Sequence, residues 1–106
     1  MSKQTPEGKV LKEVTDYLTK RGVFWIRINT QGNYDAKRGM YIPSPYTKRG
    51  TPDLLACPNG QAVFLELKAK RGRLSPEQVV MGEIIKEAGC EWYCVRSVQE
   101  VIDLGL

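Results

Sequence analysis

The sequence predicts a single α/β domain in which a mixed sheet is flanked by helices. Its 106 residues are 42% hydrophobic and 26% charged, which is the composition of one small globular domain. Helix and strand patterns follow one another in the order αβββαβα, without a repeat or a linker. A strand, a helix and a strand between residues 62 and 96 predict a parallel pair joined by a crossover, and such crossovers are almost always right-handed.

The first element is an amphipathic helix that starts at Pro6. Thr5 supplies an oxygen that caps the first turn, and a proline at the first helical position lacks only an N–H that would be unpaired there. Gly22 ends the helix. The apolar residues that recur at helical spacing before it are Val10, Leu11, Val14, Tyr17 and Leu18. The β-branched and aromatic run 23–28 then predicts a strand.

A long connection, Asn29–Gly50, separates this strand from the next one. Glycine and proline interrupt it repeatedly, and we expect a short hairpin around Met40-Tyr41-Ile42. Connections of this length are uncommon within small domains and usually serve function. The segment is therefore a candidate part of a binding surface.

Two strand patterns follow and predict a hairpin. They are Pro52–Cys57 and Ala62–Lys68, and the turn Pro58-Asn59-Gly60 joins them. Both faces of the second strand begin with apolar residues, so we expect it to be buried.

The last third of the chain predicts a helix, a strand and a short helix. Ser75-Pro76-Glu77-Gln78 is a capping box, in which the serine and the glutamine pair with each other's free backbone N–H groups, and the helix extends to about Gly89. Its apolar residues, expected to face the core, are Val80, Met81, Ile84, Ile85 and Ala88. A strand at Glu91–Arg96 precedes a second capping box, Ser97–Glu100, which opens the C-terminal helix.

Composition excludes several kinds of chemistry. The chain has no histidine, which excludes Ser-His and Cys-His triads, histidine metal sites and nucleases with a histidine base. Any catalysis must therefore rely on carboxylates and lysine. No apolar run is long enough for a membrane span or a secretory signal, so we expect a cytoplasmic protein with no membrane partner. The three cysteines, an odd number in such a protein, predict buried thiols rather than disulfides.

Positive charge is concentrated in the middle of the chain. The whole chain has 16 lysines and arginines and 12 acidic residues, which gives a net charge of +4. Residues 36–73 hold eight of these cations but only two acids, a net charge of +6, which leaves −2 for the remainder. An anionic partner is the natural inference, and a solvated basic surface without a ligand is the alternative.

The two acids of this segment and one lysine belong to neighbouring strand ends. Side chains alternate along a strand, so Glu66 and Lys68 share one face. Counting outward from the turn places Asp53 opposite Glu66. Two carboxylates with the main-chain carbonyl of Leu67 are hard oxygen ligands that suit Mg²⁺ or Mn²⁺, and the lysine would neutralise charge or orient a nucleophile. A plain ion pair across the strands is the alternative.

Motifs around these residues carry a resemblance to a known family. Gly50-Thr51-Pro52-Asp53 and Glu66-Leu67-Lys68 are separated by twelve residues, and Leu74-Ser75-Pro76-Glu77-Gln78 opens a helix. A first-helix glutamate, a strand that ends Phe-x-x-Arg and a last strand that ends Val-Arg-Ser extend the pattern over nearly the whole chain. It resembles the PD-(D/E)xK nuclease superfamily and, more narrowly, the virus-type replication-repair nuclease (VRR-NUC) domain.

This resemblance implies a fold and a domain organisation. The fold is a restriction-endonuclease-like αβββαβ core, a mixed sheet flanked by helices, with a short C-terminal helix. Residues 1–106 would form a single VRR-NUC-like nuclease domain.

The resemblance also implies a role for each matching position. Asp53 and Glu66 would bind a metal ion with the Leu67 carbonyl, and Lys68 would be the catalytic lysine. Gln78 would lie near the metal's water or the substrate, and its alternative role is the capping box alone.

Glu7 matches the acid of the family's first helix. It could belong to the catalytic set and bind a second metal, or that metal's waters. The alternative is an acid that the helix dipole favours in the first turn. The implied cofactor is Mg²⁺, with Mn²⁺ as a substitute, and no small-molecule cofactor is expected.

The function implied by the resemblance is that of a structure-selective DNA endonuclease acting on branched or structured DNA. Stand-alone members resemble Holliday-junction resolvases that work as homodimers, since a two-fold dimer supplies two sites for two symmetric nicks. A monomeric flap endonuclease or nickase of low selectivity is one alternative, and a catalytically silent nucleic-acid-binding module is another. The residues expected to hold DNA phosphates are Lys37, Arg38, Lys48, Arg49, Lys70, Arg71 and Arg73.

Two further groups of residues leave alternatives open. Aromatic rings of the long connection could stack on unpaired bases or pack within the loop, and these are Tyr34, Tyr41 and Tyr46. Arg27 and Arg96, which stand at strand ends, could be solvated or contact phosphate.

Overall fold

A computed structural model describes residues 5–29, 33–42 and 48–106 of the protein. The helices are α1 at Pro6–Lys20, α2 at Pro76–Glu87 and α3 at Val98–Asp103. The strands are β1 at Phe24–Arg27, β2 at Asn33–Asp35, β3 at Met40–Ile42, β4 at Leu54–Cys57, β5 at Val63–Leu67 and β6 at Glu91–Val95. The predicted α/β class and the predicted order of the main elements are confirmed.

Four of the strands form one mixed sheet in the order β1-β4-β5-β6. The β1–β4 and β4–β5 pairs are antiparallel, and β5 and β6 are parallel. Helix α2 connects the parallel pair, which is the predicted crossover. The remaining strands, β2 and β3, form a separate antiparallel hairpin where the sequence predicts one.

Helix starts and turns follow the local sequence. The Thr5 hydroxyl accepts a hydrogen bond from Gly8 N (2.9 Å), and α2 has a complete capping box. The turn between β4 and β5 is one turn of 3₁₀ helix, Pro58–Gly60, in which Asn59 has a φ of +51°. The second predicted capping box is only half formed, because the Glu100 carboxylate accepts from Arg96 N instead of Ser97 N.

The hydrophobic core lies between the sheet and the helices α1 and α3. Val14 and Leu18 of α1 are fully buried, as predicted. They pack against Leu54, Leu65 and the other core residues of the sheet, of α3 and of the segment after α3, which are Ala56, Val63, Leu67, Val95, Val101 and Leu106. Burial of these side chains is the main source of stability.

Helix α2 covers the opposite face of the sheet, and the prediction of its core-facing residues is confirmed for Ile85 but wrong for Val80, Ile84 and Ala88. Gly82 and Ile85 are its buried residues, whereas Val80 and Ile84 are 57% and 54% exposed. The cause is Trp92 on β6: a β-carbon on Gly82 would lie 2.8 Å from its indole ring. A glycine contributes nothing to an apolar pattern, so the sequence periodicity predicts the burial of Ile85 but misses that of Gly82.

Two expectations from composition are also addressed by the structure. Cys57, Cys90 and Cys94 are free thiols, but each is only half-buried. Among the described residues, none of the helices has the length and apolar character needed to cross a membrane.

Candidate active site

The start of β4 and the end of β5 bring the two predicted carboxylates together. Leu54 pairs with Leu65, and the same register continued by one residue places Asp53 opposite Glu66. Both oxygens of Asp53 are held: Leu67 N donates to Oδ2 (2.7 Å) and Asn29 Nδ2 donates to Oδ1 (3.2 Å). The orientation of this carboxylate is therefore fixed by neighbouring strands.

Glu66 is the one buried charged residue among those described, with a relative exposure of 1%. Its Oε1 accepts a hydrogen bond from Gln78 Nε2 (3.0 Å). Its Oε2 is also buried, and while the carboxyl groups of Glu66 and Asp53 are both ionised it has no hydrogen-bond donor within the part of the chain that the structure describes. An unpaired carboxylate oxygen in such a place is costly unless a cation or a proton compensates it.

The environment of Glu66 raises its pKa from an ordinary 4.5 to about 8. Burial is the largest cause, followed by the hydrogen bond that a protonated Glu66 can donate to Asp53 and by the negative charge of Asp53. The nearby ammonium of Lys68 acts in the opposite direction. Two carboxylates so close together cannot easily both be charged without a cation.

Lys68 extends to the same end of the sheet. Its main-chain N–H donates to Val95 O (3.0 Å), which ties the strand end to β6. Its side chain is 15% exposed, and Nζ lies 4.0 Å from Oε1 of Glu7 on α1. The lysine thus stands between the buried carboxylate of Glu66 and the first helix.

Gln78 forms the predicted capping box and also contacts Glu66, while its predicted place near a metal-bound water or the substrate stays a prediction. Its Oε1 accepts from Ser75 N (2.8 Å), and its own N–H donates to the Ser75 hydroxyl (3.2 Å). The other end of the same amide donates to Glu66. The capping box therefore fixes Gln78 in the rotamer that contacts the site.

The Leu67 carbonyl faces the side of β5 on which Asp53 lies. The N–H and C=O of one strand residue point to the same neighbouring strand. Since Leu67 N donates to the Asp53 carboxylate, its carbonyl is directed beyond the start of β4. Asp53, Glu66 and this carbonyl form a set of hard oxygen donors with an unpaired buried oxygen, which fits a divalent cation such as Mg²⁺.

Glu7 lies on α1, at the exposed edge of this group. Its side chain is 53% exposed, and its negative charge adds to the rise in the pKa of Glu66. Across residues 5–29, 33–42 and 48–106, no three or more Asp, Glu, His or Cys side chains are grouped so as to hold a metal. A role of Glu7 as a metal ligand remains a prediction, and its contact is with Lys68.

The predicted phosphate-binding residues lie in three places. Lys70, Arg71 and Arg73 are exposed on the connection that follows β5, close to Lys68. Lys37 and Arg38 are exposed in the turn between β2 and β3, where each also contacts other residues. Lys48 and Arg49 border a cavity of about 440 Å³, whose other lining residues are Asn29, Gly50, Thr51, Ser75, Glu77 and Gln78. Tyr46 and the side chains of Tyr34 and Tyr41 lie outside the described residues.

For Asn29 the sequence makes no prediction, and for Arg96 it does not predict the contacts that the structure shows. Asn29 holds Asp53, and a polar residue directly after a strand is the only signal that could have found it. Arg96 is half-buried, and its guanidinium donates hydrogen bonds to the main-chain carbonyls of Ala69 and Gly72. Main-chain partners leave no trace in a sequence.

Comparison with known proteins identifies the fold. No family model matches the sequence, and no curated protein matches it. Among solved structures, the chain is similar to one described as "VRR_NUC domain", with 24% identity, a TM-score of 0.68 and coverage of 94% of both chains. The protein thus has a mixed α/β fold in which a four-stranded sheet is flanked by helices. More narrowly, it has the fold of a VRR_NUC domain, as its motifs predict.

Proposed function

We propose that the protein is a Mg²⁺-dependent, structure-selective DNA endonuclease. The observation that carries this proposal is the buried, unpaired Oε2 of Glu66 beside Asp53 and Lys68. A buried carboxylate pair is expensive to maintain, and a divalent cation is the partner that would relieve it. The fold of a VRR_NUC domain supports the nuclease class.

Each residue of the candidate site would have a separate role in phosphodiester hydrolysis. Asp53, Glu66 and the Leu67 carbonyl would hold Mg²⁺, which when bound lowers the pKa of a water molecule and polarises a phosphoryl oxygen. Lys68 would stabilise the negative charge that develops on the phosphate or orient the attacking water. Gln78 and Asn29 would keep the two carboxylates in position. Mn²⁺ would substitute for Mg²⁺, since it accepts the same oxygen ligands.

The substrate in this proposal is branched or structured DNA in the cytoplasm. The exposed cations Lys70, Arg71 and Arg73 would bind phosphates on one side of the site, and Lys48 and Arg49 on the other. Phosphate contacts give affinity without reading sequence, which suits recognition of DNA shape. A four-way junction is the substrate expected to be cleaved best.

We further propose that the protein acts as a homodimer. Phe24 and Ile26 of the edge strand β1 are 64% and 41% exposed. Trp25 between them packs on the core, so both point to the opposite face of the sheet. Large apolar side chains grouped on a surface favour association, and a two-fold dimer would place two sites on one junction.

The decisive experiment uses Asp53→Ala and Glu66→Ala. Duplex, single-stranded, flap and four-way DNA are incubated with the purified protein and Mg²⁺, and each variant is expected to lose cleavage by at least about 1000-fold. Junction binding, measured by fluorescence anisotropy, should remain. Glu83→Ala, which removes an exposed acid on α2, is the matched control. Unchanged cleavage by Asp53→Ala would overturn the assignment of the site.

A further inference from the structure

The connection that follows β5 is a tight turn held by a residue from another strand. We define the basic turn as residues 69–73, with the cationic side chains of Lys70, Arg71 and Arg73, all exposed. Gly72 N donates to Ala69 O (2.9 Å), which closes the turn on itself. The turn begins directly after Lys68, so its position decides where its cations lie relative to the site.

Arg96 fixes this turn from the end of β6. Its Nη1 donates to Gly72 O (2.7 Å) and to Ala69 O (3.1 Å). One guanidinium nitrogen therefore bonds two carbonyls of the turn, those of Gly72 and Ala69, which lie 24 and 27 residues before Arg96 in the sequence. Its own backbone is anchored as well, because Arg96 N donates to the Glu100 carboxylate (3.3 Å).

The guanidinium of Arg96 has no carboxylate partner in the ion pairs formed among the described residues. An arginine with neutral main-chain partners keeps its positive charge uncompensated, and its planar fork fixes the geometry of what it binds. Arg96 therefore supports the basic turn without lowering the positive charge of this side of the site.

We propose that Arg96 is a positioning residue that holds the basic turn in the conformation that binds DNA phosphates. This inference rests on the proposed function, because it assigns a purpose to the DNA-binding surface of the same site. An unsupported exposed turn must be ordered when DNA binds, and that entropy weakens binding. Lys68 is tied to β6 through Val95 O, so loss of Arg96 should affect binding rather than turnover.

The test is a double-mutant cycle between Arg96 and the cations of the turn. Arg96→Met is made in the native protein and in a background that carries Lys70→Ala, Arg71→Ala and Arg73→Ala. Binding of a fluorescent four-way junction is measured in EDTA, where no cleavage occurs. We expect Arg96→Met to weaken binding about five- to tenfold in the native protein. In the triple-alanine background, the effect should fall below about twofold, since the two changes act through one feature.

Two further readouts separate positioning from other roles. Arg96→Lys keeps the charge without the fork, so it should bind less well than the native protein; full rescue by lysine would show a charge effect and overturn the proposal. An equal loss in both backgrounds would show direct DNA contact or general destabilisation and overturn it too. The value of kcat at saturating junction in Mg²⁺ should stay within about twofold.

The outcomes also distinguish this proposal from the proposed function. A native protein that binds junctions but loses nothing on Arg96→Met contradicts the positioning role alone. A native protein that binds none of the DNA substrates contradicts both. If Arg96→Met does not fold, as judged by thermal unfolding, Arg96→Gln replaces it, because its amide can donate to one of the two carbonyls.

Discussion

At the scale of one residue, the burial of Glu66 lowers the stability of the folded protein when its carboxyl group is ionised. In the folded protein its pKa is about 8, against an ordinary 4.5. Between these pH values, the folded state keeps a proton that the unfolded state has lost. The free energy of unfolding of the metal-free protein therefore falls as the pH rises from about 4.5 to 8.

Glu66→Gln is expected to remove this dependence. Without metal at pH 8, the variant should have a Tm at least about 5 °C above that of the native protein, and the difference should shrink towards pH 5. Mg²⁺ should raise the Tm of the native protein at pH 8 but not that of the variant. Glu83→Gln is the control on an exposed acid. Parallel pH profiles for the native protein and Glu66→Gln would contradict the prediction.

Lys68 and Lys70 are two residues apart, but we expect their substitution by alanine to have different effects. Lys68→Ala should lower kcat by at least about 100-fold with little change in junction binding, because the proposed role of its ammonium is to stabilise charge at the reacting phosphate. Lys70→Ala should weaken binding and reduce its dependence on salt, as expected for one lost phosphate contact. Both are measured by single-turnover cleavage and anisotropy at two salt concentrations. A Lys68→Ala variant impaired only in binding would instead be a phosphate-contact variant.

At this scale, the sequence predicts the residues whose partners are set by strand register. Asp53, Glu66 and Lys68 come together because the hairpin turn and the alternation of side chains determine where each one lies. The contact of Gln78 with Glu66 follows from the capping box. Arg96 could not be found in this way, because its partners are carbonyls of a turn whose path depends on tertiary packing.

At the scale of elements, the loop before β4 is pressed against the start of α2. Gly50 has a φ of +79°, and a β-carbon on it would lie 2.3 Å from the main-chain oxygen of Glu77. The backbone of the loop at Gly50 therefore lies directly against the backbone of the first turn of α2. That approach sets the place of Lys48 and Arg49 beside the cavity.

Gly50→Ala should destabilise the protein by about 2 kcal/mol or more, measured by urea unfolding, because the strained φ and the steric conflict add. Gly60→Ala is the matched control, since Gly60 has a φ of +80° but nothing within 4 Å of the added carbon. It should cost about 1 kcal/mol. Equal losses in the two variants would show that only backbone conformation matters at Gly50.

The elements themselves are mostly predictable, and the exceptions have physical causes. Capping residues and glycines mark the helix ends, and β-branched runs mark the strands. The buried face of α2 is predicted only in part: Ile85 is buried as expected, but Val80 and Ile84 are exposed because the helix packs through Gly82 on an indole ring. The half-formed cap of α3 arises because the Glu100 carboxylate bonds the N–H of Arg96 instead of that of Ser97.

At the scale of the whole molecule, the proposed dimer is open to a direct test. Sedimentation equilibrium at micromolar concentration should give twice the mass of the 12.0 kDa chain. Phe24→Asp should shift the equilibrium to the monomer, because a carboxylate on the exposed face of β1 would have to be desolvated on association. Ile102→Asp, on a similarly exposed residue of α3, is the control. A native protein that is monomeric even with junction bound would favour a flap nuclease or nickase.

The hydrogen bond from Ile28 N to Asp53 O (2.9 Å) closes a loop at the point where the chain leaves β1 and returns to β4. The residue that closes this loop also carries one of the proposed metal ligands. Lengthening the intervening segment would cost little, since closure entropy rises only slowly with length. If the proposed function holds, such a scaffold can change the length and sequence of this segment while Asp53 keeps its place, so the choice of substrate can diversify faster than the chemistry.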